Sequence, residues 1–382
     1  MSRHSINNDA LVVLEDGRCF GGESFGAAET SFGEAVFTTG MTGYQETLTD
    51  PSYHRQVVVM TAPQIGNTGW NGEDNESKRI WVSGFVVRDL TGIDSNWRSS
   101  GSLQQQLIDQ GIVAVQGIDT RALTRHLRDR GAMRVGLFTG DDAARPREQL
   151  VALVNEQPRM AGAYLAGEVS TSEAYVVEAV GERRFTVAAI DLGIKSSTPE
   201  QMAARGMRVH VLPATASMEE VRAVTPDGIF FSNGPGDPAA AGDAVALMRQ
   251  ALEAKLPVFG ICFGNQILGR ALGLGTYKLK FGHRGVNVPV RDKATGRIEI
   301  TSQNHGFAVD APIEGYTDTP YGRVEVSHVC VNDEGVEGLR CLDVPAFSVQ
   351  HHPEAAAGPH DAGYLFDRFA DMMASQKEQA NA

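Results

Sequence analysis

The stretch LPVFGICFGNQILGRALG, residues 256–273, decides the fold. Its first part, LPVFGIC, is a short apolar run with branched and aromatic residues and reads as a buried strand. The part that follows, NQILGRALG, reads as a helix that stops at Gly273. No loop separates them. A strand that turns at once into a helix forces its turning residue, Cys262, into a strained conformation. Gly260 and Gly264, two places away on each side, let strand and helix approach closely. This is the logic of the G-x-S-x-G nucleophile elbow with sulfur in place of oxygen. The helix N-terminus, with its unpaired N–H groups and positive dipole end, favours a thiolate. The pentapeptide alone leaves a second reading open, because free cysteine is among the most buried residue types and fills cores.

Outward from this stretch, strands and helices alternate from residue 185 onward. RFTVAAIDLG is a strand and turn, TPEQMAARG a helix ending at Gly206, and MRVHVLPA a strand. DGIFFSNGPGDP is a strand that breaks into a Gly-Pro loop, and AAAGDAVALMRQALEAK is a helix. Such alternation implies βαβ units: an α/β fold with a mostly parallel sheet flanked by helices. Sites in these sheets lie beyond the carboxyl ends of the strands, where both Cys262 and the SNGPGDP loop fall.

Upstream, the texture is α+β. LVVLEDGRCFGG reads as two strands about a turn at Asp16-Gly17, and QVVVMTAPQIG and RIWVSGFVVRDL are further β-rich runs. SLQQQLIDQG reads as a helix. So does DTRALTRHLRDRG, with Asp119 as N-cap, Leu123 and Leu127 on one face, and Gly131 as the stop. The expected organisation is an N-terminal α+β domain over residues 1–150, a connector over 151–184, and the α/β domain over 185–382.

Composition sets the outer limits. With 382 residues, 42% of them hydrophobic, the chain can build more than one core. A formal net charge of -13 argues against a nonspecific grip on nucleic acid. No apolar run approaches the roughly 20 residues needed to span a bilayer, and MSRHSINNDALVVLEDG has no signal-like apolar region. The four cysteines, Cys19, Cys262, Cys330 and Cys341, are scattered and form no C-x-x-C. A reducing, cytoplasmic setting is expected, and no metal site, since Cys330 and Cys341 match no standard zinc spacing. No G-x-x-x-x-G-K-[ST] occurs, since LGIKSS at 192–197 lacks the preceding loop, so no nucleotide cofactor is expected on this chain.

Three further stretches carry chemistry. In FSVQHHPE, residues 347–354, a chain that stays extended through Pro353 puts His352 and Glu354 on the same side, a base and the carboxylate that orients it. His351 then points the other way. In SNGPGDP, residues 232–238, two glycines around a proline bring backbone N–H groups near a ligand. Acyl chemistry needs such donors where the oxyanion forms, the second being the Phe263 N–H. QNHGF, residues 303–307, is a polar knot between two apolar runs. The first has a bland alternative as a surface turn with solvated side chains and the second as an ordinary turn, while QNHGF alone says little.

Together, in the order SNGPGDP, GICFGNQ, KFGHRGVN, QNHGF and HPEA, they resemble the class I, triad-type glutamine amidotransferases. LEDGRCFGG, FTTGMTGYQETLTDPSYHRQVVVMTAPQIGNTG and GIDTRALTRHLRDRGAM narrow the resemblance to the small, glutamine-hydrolysing subunits of carbamoyl-phosphate synthase, over nearly the whole chain. The resemblance implies Cys262 as nucleophile, His352 as general base and Glu354 as its orienting acid. It implies a glutamine site lined by Gly234, Gly236, Phe263, Gln266, Asn304, Gly306 and Phe307, closed by Ser52 from the N-terminal domain. It also implies a large-subunit partner that receives ammonia and uses ATP and Mg, with no cofactor, nucleic acid or membrane for this chain. Asn265 departs from the pattern, since members commonly carry histidine there, and the doubled His351-His352 is a minor variation. The competing expectations are an amidotransferase subunit of another synthase and a catalytically silent scaffold for the large subunit.

Overall fold

The computed structural model describes residues 9–381; residues 1–8, where no targeting segment is expected, and Ala382 lie outside the described residues. The chain forms two units. One comprises the chain through Met160 together with Lys280–Arg284, and the other comprises Ala161–Leu279 and the chain from Gly285 onward. Residues 151–184 are divided between them: the helix Arg147–Glu156 falls in the first, and Ala166–Val169 and Tyr175–Val177 in the second.

In the first unit the strands are β1 (Ala10–Leu14), β2 (Cys19–Ser24), β3 (Ser31–Thr38), β4 (Gln56–Met60), β5 (Gln64–Ile65), β6 (Gly84–Val86), β7 (Asp89–Leu90), β8 (Val113–Gln116) and β9 (Met133–Thr139). Seven of them close a barrel in the order β1-β2-β8-β6-β4-β3-β9, while β5 and β7 pair separately. Closure removes the exposed edges an open sheet would leave. Alternation along β4 feeds two cores: Val57 and Val59 join Val12, Leu14, Val86 and Leu137, whereas Val58 and Met60 join Val36, Leu48 and Phe85. The helices are α1 (Tyr44–Thr49), α2 (Leu103–Asp109), α3 (Thr120–Arg130) and α4 (Arg147–Glu156). In α3 the Asp119 carboxylate accepts the Ala122 N–H at 2.9 Å, Gly131 follows with φ 104°, and Leu123 and Leu127 are buried.

The second unit holds α5 (Ala166–Val169), α6 (Ser197–Ala203), α7 (Met218–Ala223), α8 (Gly242–Glu253), α9 (Phe263–Ala271) and α10 (Tyr364–Asn381). Its strands are β10 (Tyr175–Val177), β11 (Phe185–Asp191), β12 (Met207–Pro213), β13 (Gly228–Phe231), β14 (Val258–Ile261), β15 (Gly275–Asp292, apart from Lys280–Arg284, which falls in the first unit), β16 (Ile298–Asp310), β17 (Thr317–Thr319), β18 (Gly322–Cys330), β19 (Val336–Cys341) and β20 (Ala346–Val349). They form one 11-stranded sheet, ordered β10-β12-β11-β13-β14-β20-β19-β18-β15-β16 with β17 paired to β18. The centre, β12-β11-β13-β14-β20, is parallel, as the βαβ alternation requires. Antiparallel strands extend it on both sides: β10 on β12, and β19, β18 and β15 beyond β20. The sheet is therefore mixed, and the parallel expectation applies to its middle.

Both faces of that middle are covered, which explains strands apolar along their whole length. Ala188, Ile190, Ile229, Phe231 and Val258 pack with residues of α7, α8 and α9, while Val187, Ala189, Phe230, Phe259 and Ile261 pack with Met202 of α6 and Leu365, Phe366, Phe369 and Met373 of α10. Each fully buried Val, Leu, Ile, Phe or Met side chain among these contributes about 1.5–3 kcal/mol. All four cysteines are free thiols. Among the described residues, no helix is long and apolar enough to cross a membrane.

Candidate active site

Cys262 occupies the turn between β14 and α9 with φ 54° and ψ -99°. A non-glycine residue held there costs about 1–3 kcal/mol and persists only where its surroundings over-determine it. Here the Cys262 N–H donates to the Val349 C=O at 2.8 Å and the Gly264 N–H to the Ser232 C=O at 3.1 Å. The flanking glycines are sterically required: a Cβ on Gly260 would stand 2.7 Å from the Gly264 carbonyl oxygen, and one on Gly264 2.2 Å from that of Phe231. Cys262 is 2% exposed and belongs to the core cluster on the α6–α10 face. Both readings of the pentapeptide thus hold at once: the thiol is buried, and it sits on a strained elbow. Phe263, at the first helical position, has an N–H that α9 itself does not use.

The His-Pro-Glu segment reaches the same place by a different backbone path from the one expected. β20 ends at Val349 and the chain turns through Pro353 and Glu354 instead of staying extended. The turn still brings the Glu354 Oε1 to 2.7 Å from His352 Nδ1. The His352 N–H donates to the Ser302 C=O of β16 at 2.9 Å, which fixes the segment. Among the described residues His352 Nε2 is buried with no hydrogen-bond partner of good geometry. Burial alone would lower the pKa of His352, but the Glu354 carboxylate and then Cys262 beside it outweigh burial and push it up to about 10. Burial would raise Glu354, yet Lys195 and His352 hold it well below the usual carboxylate range.

The loop and the wall follow. A Cβ on Gly234 would meet the Leu192 carbonyl oxygen at 2.1 Å, and Gly236 has φ 100° with the Ala163 carbonyl 2.7 Å from where its Cβ would be. The Asp237 N–H donates to that Ala163 carbonyl at 2.9 Å, so the segment after Met160 braces the loop. The QNHGF stretch is part of strand β16, and two of its carbonyls face residues of the elbow and α9. Cys262 Sγ lies 3.6 Å from the Asn304 C=O, and Gln266 Nε2 donates to the Phe307 C=O at 2.8 Å. Asn304, Phe307 and Gln266 are buried and Gly306 half-buried. Ser52 lies in the first unit, buried in the short turn Pro51–Tyr53, where its N–H donates to the Asp50 carboxylate at 2.8 Å.

The family model of the carbamoyl-phosphate synthase small chain, CPSase domain, matches residues 12–137, and that of class-I glutamine amidotransferases matches residues 188–372. The chain is 68% identical over 377 residues to the carbamoyl phosphate synthase small chain of Streptomyces avermitilis, covering 98% of this chain and 99% of that one. It is 66% identical over 377 residues to the Streptomyces coelicolor small chain (98% and 99% covered) and 60% identical over 372 residues to that of Mycobacterium tuberculosis (96% and 99% covered). The chain belongs to the carbamoyl phosphate synthase small-chain family.

Within this small chain the structure adds a residue that motif reading passed over. Lys195, in the LGIKSS stretch set aside as no phosphate loop, places its Nζ 3.1 Å from Glu354 Oε1, with both side chains almost fully buried. Lys195, Glu354 and His352 form a row of buried groups in which the carboxylate serves two partners. No sequence signal marks Lys195, since it lies 159 positions before Glu354. Asn265 and Gln266, directly after the elbow, join Ser348 and Gln350 in a buried hydrogen-bonded set.

Proposed function

We propose that this small chain is the glutaminase of a carbamoyl-phosphate synthase, acting through Cys262, His352 and Glu354. The observation that carries the reading is the meeting of a strained elbow cysteine with a histidine whose Nδ1 is held at 2.7 Å by a buried carboxylate. Cys262 attacks the side-chain amide carbon of glutamine as a thiolate. The N–H groups of Gly236 and Phe263 receive the oxyanion. His352, kept protonated by Glu354, gives its proton to the leaving ammonia. Once neutral, it takes a proton from the water that hydrolyses the γ-glutamyl thioester, and glutamate leaves. Gly234, Gly236, Phe263, Gln266, Asn304, Gly306 and Phe307 line the glutamine site. Ammonia passes to a large subunit, which uses ATP, Mg and bicarbonate to make carbamoyl phosphate for arginine and pyrimidine biosynthesis in the cytoplasm. This chain binds no cofactor in that scheme.

A silent scaffold would have no use for a protonated buried histidine beside a cysteine. The test is Cys262→Ser assembled with the large subunit. Glutamine-dependent synthesis should vanish while synthesis from added ammonia continues. Glutamine use surviving in this variant would overturn the assignment.

A further inference from the structure

We propose that Asn265 is a positioning residue, which locks the helix that begins at Cys262 against the strand that delivers His352. Ser348 Oγ donates to Asn265 Oδ1 at 2.8 Å, and Asn265 Nδ2 donates to Gln350 Oε1 at 3.2 Å. Gln266 Nε2 donates to the same Gln350 oxygen at 3.1 Å and to the Phe307 C=O at 2.8 Å. Asn265, Ser348 and Gln350 are 0% exposed and Gln266 3%, so water does not compete for these bonds.

The orientation of every amide follows from one backbone carbonyl. The Phe307 C=O only accepts, so the Gln266 atom facing it is the NH₂ group. That group also faces Gln350, whose facing atom must then be its oxygen. Asn265 therefore turns its NH₂ to Gln350 and its oxygen to Ser348, and the hydroxyl donates. These bonds are consistent in a single arrangement, which leaves Gln350 Nε2 buried without a hydrogen-bond partner among the described residues. Asn265 lies three residues after Cys262, and Gln350 two before His352. The clamp thus spans the two segments whose relative placement sets the distance from thiol to imidazole. It also holds a turn that is strained at Cys262 and would relax if released.

The inference rests on the reading of Cys262 as nucleophile. Asn265→Leu keeps the branched shape and heavy-atom count, though with greater bulk, and removes both bonds. In the full chain we expect kcat for glutamine hydrolysis and the rate of Cys262 alkylation by iodoacetamide each to fall about tenfold or more, since misplacement of about 1 Å costs on the order of 100-fold. KM should stay within about twofold, because no bond to glutamine is removed. Asn265→His, whose neutral ring offers one donor and one acceptor, should recover to within about threefold of the parent. Ser348→Ala, which loses one bond, should slow alkylation about threefold and decides the matter if Asn265→Leu does not fold. Parental kcat and alkylation in a folded Asn265→Leu would overturn the clamp, as would equal losses in Asn265→Leu and Asn265→His that track a common fall in melting temperature. Cys262→Ser run alongside separates the two levels. Hydrolysis surviving there overturns the reading of the site, whereas hydrolysis lost there but undiminished in Asn265→Leu overturns only the clamp.

Discussion

Beyond the end of β20, His351 and His352 enter opposite surroundings. His352 meets Glu354 at 2.7 Å, with Lys195 behind the carboxylate and Cys262 in front. His351 is equally buried, but its ring packs edge-on against His328 at 5.6 Å and stands 4.0 Å from the Glu337 carboxylate. Neither of its ring nitrogens has a hydrogen-bond partner among the described residues. Burial, reinforced by His328, pushes the pKa of His351 down to about 3, while the carboxylate beside His352 pushes that one up to about 10. Two adjacent side chains of one type are thus held in opposite charge states. A directly bonded counter-charge decides between them, since burial acts on both in the same direction.

Removing the counter-charge is the strongest way to break this contrast. Glu354→Gln should cut kcat about 10²–10⁴-fold, the range for a mispositioned general acid–base. In the parent, the charged form of His352 is lost only as pH rises through about 10, so its stabilising contribution is complete below the ordinary histidine range and gone above that value. In Glu354→Gln the alkaline limb of the rate profile should move to lower pH. A profile that did not move would mean that Glu354 does not set the charge of His352.

A smaller effect is expected one step back. Lys195→Met leaves the His352–Glu354 pair but removes the cation that helps hold Glu354 ionised. We expect kcat to fall about tenfold, with activity on the acid side of the profile lost at higher pH than in the parent. Parental acid-side behaviour would show Lys195 to be a packing residue.

The smallest effect on turnover belongs to the other histidine. His351→Phe should leave kcat within about threefold while changing stability in acid. His351 and His328, depressed to about 3 and about 4, stay neutral in the folded state while the unfolded chain takes up protons. Stability therefore falls as pH drops below the ordinary histidine value toward about 4, by up to about 1.4 kcal/mol per pH unit for each ring. In His351→Phe one of these two contributions disappears, and the melting temperature should decline less steeply with acid. An unchanged slope would place a proton on His351 in the native state.

Legibility in the sequence differed between these features for physical reasons. The elbow was readable because its constraints are local: a strand, a helix and two glycines within a few residues. The His352–Glu354 pairing was readable from spacing, although the chain turns where an extended path was expected, since a gap of two residues leaves few ways for the side chains not to meet. The parallel centre of the sheet was readable from the βα alternation. The extension through β15, β16, β18 and β19 was not, because exposed and buried residues mix along β15 and β16 without a clear period. QNHGF looked like a polar knot for the same reason: its polar side chains sit in a strand lining a polar interior.

The sequence by itself determined the α/β class of the second unit, the strained turn at Cys262, and the pairing of His352 with Glu354, each set by neighbours in the chain. Tertiary structure decided that Lys195 meets Glu354, that Asn265 ties α9 to β20, and which of two adjacent histidines carries charge. Those outcomes depend on which groups packing places side by side in a medium of low dielectric. There a contact of about 3 Å outweighs any preference written into the residue itself.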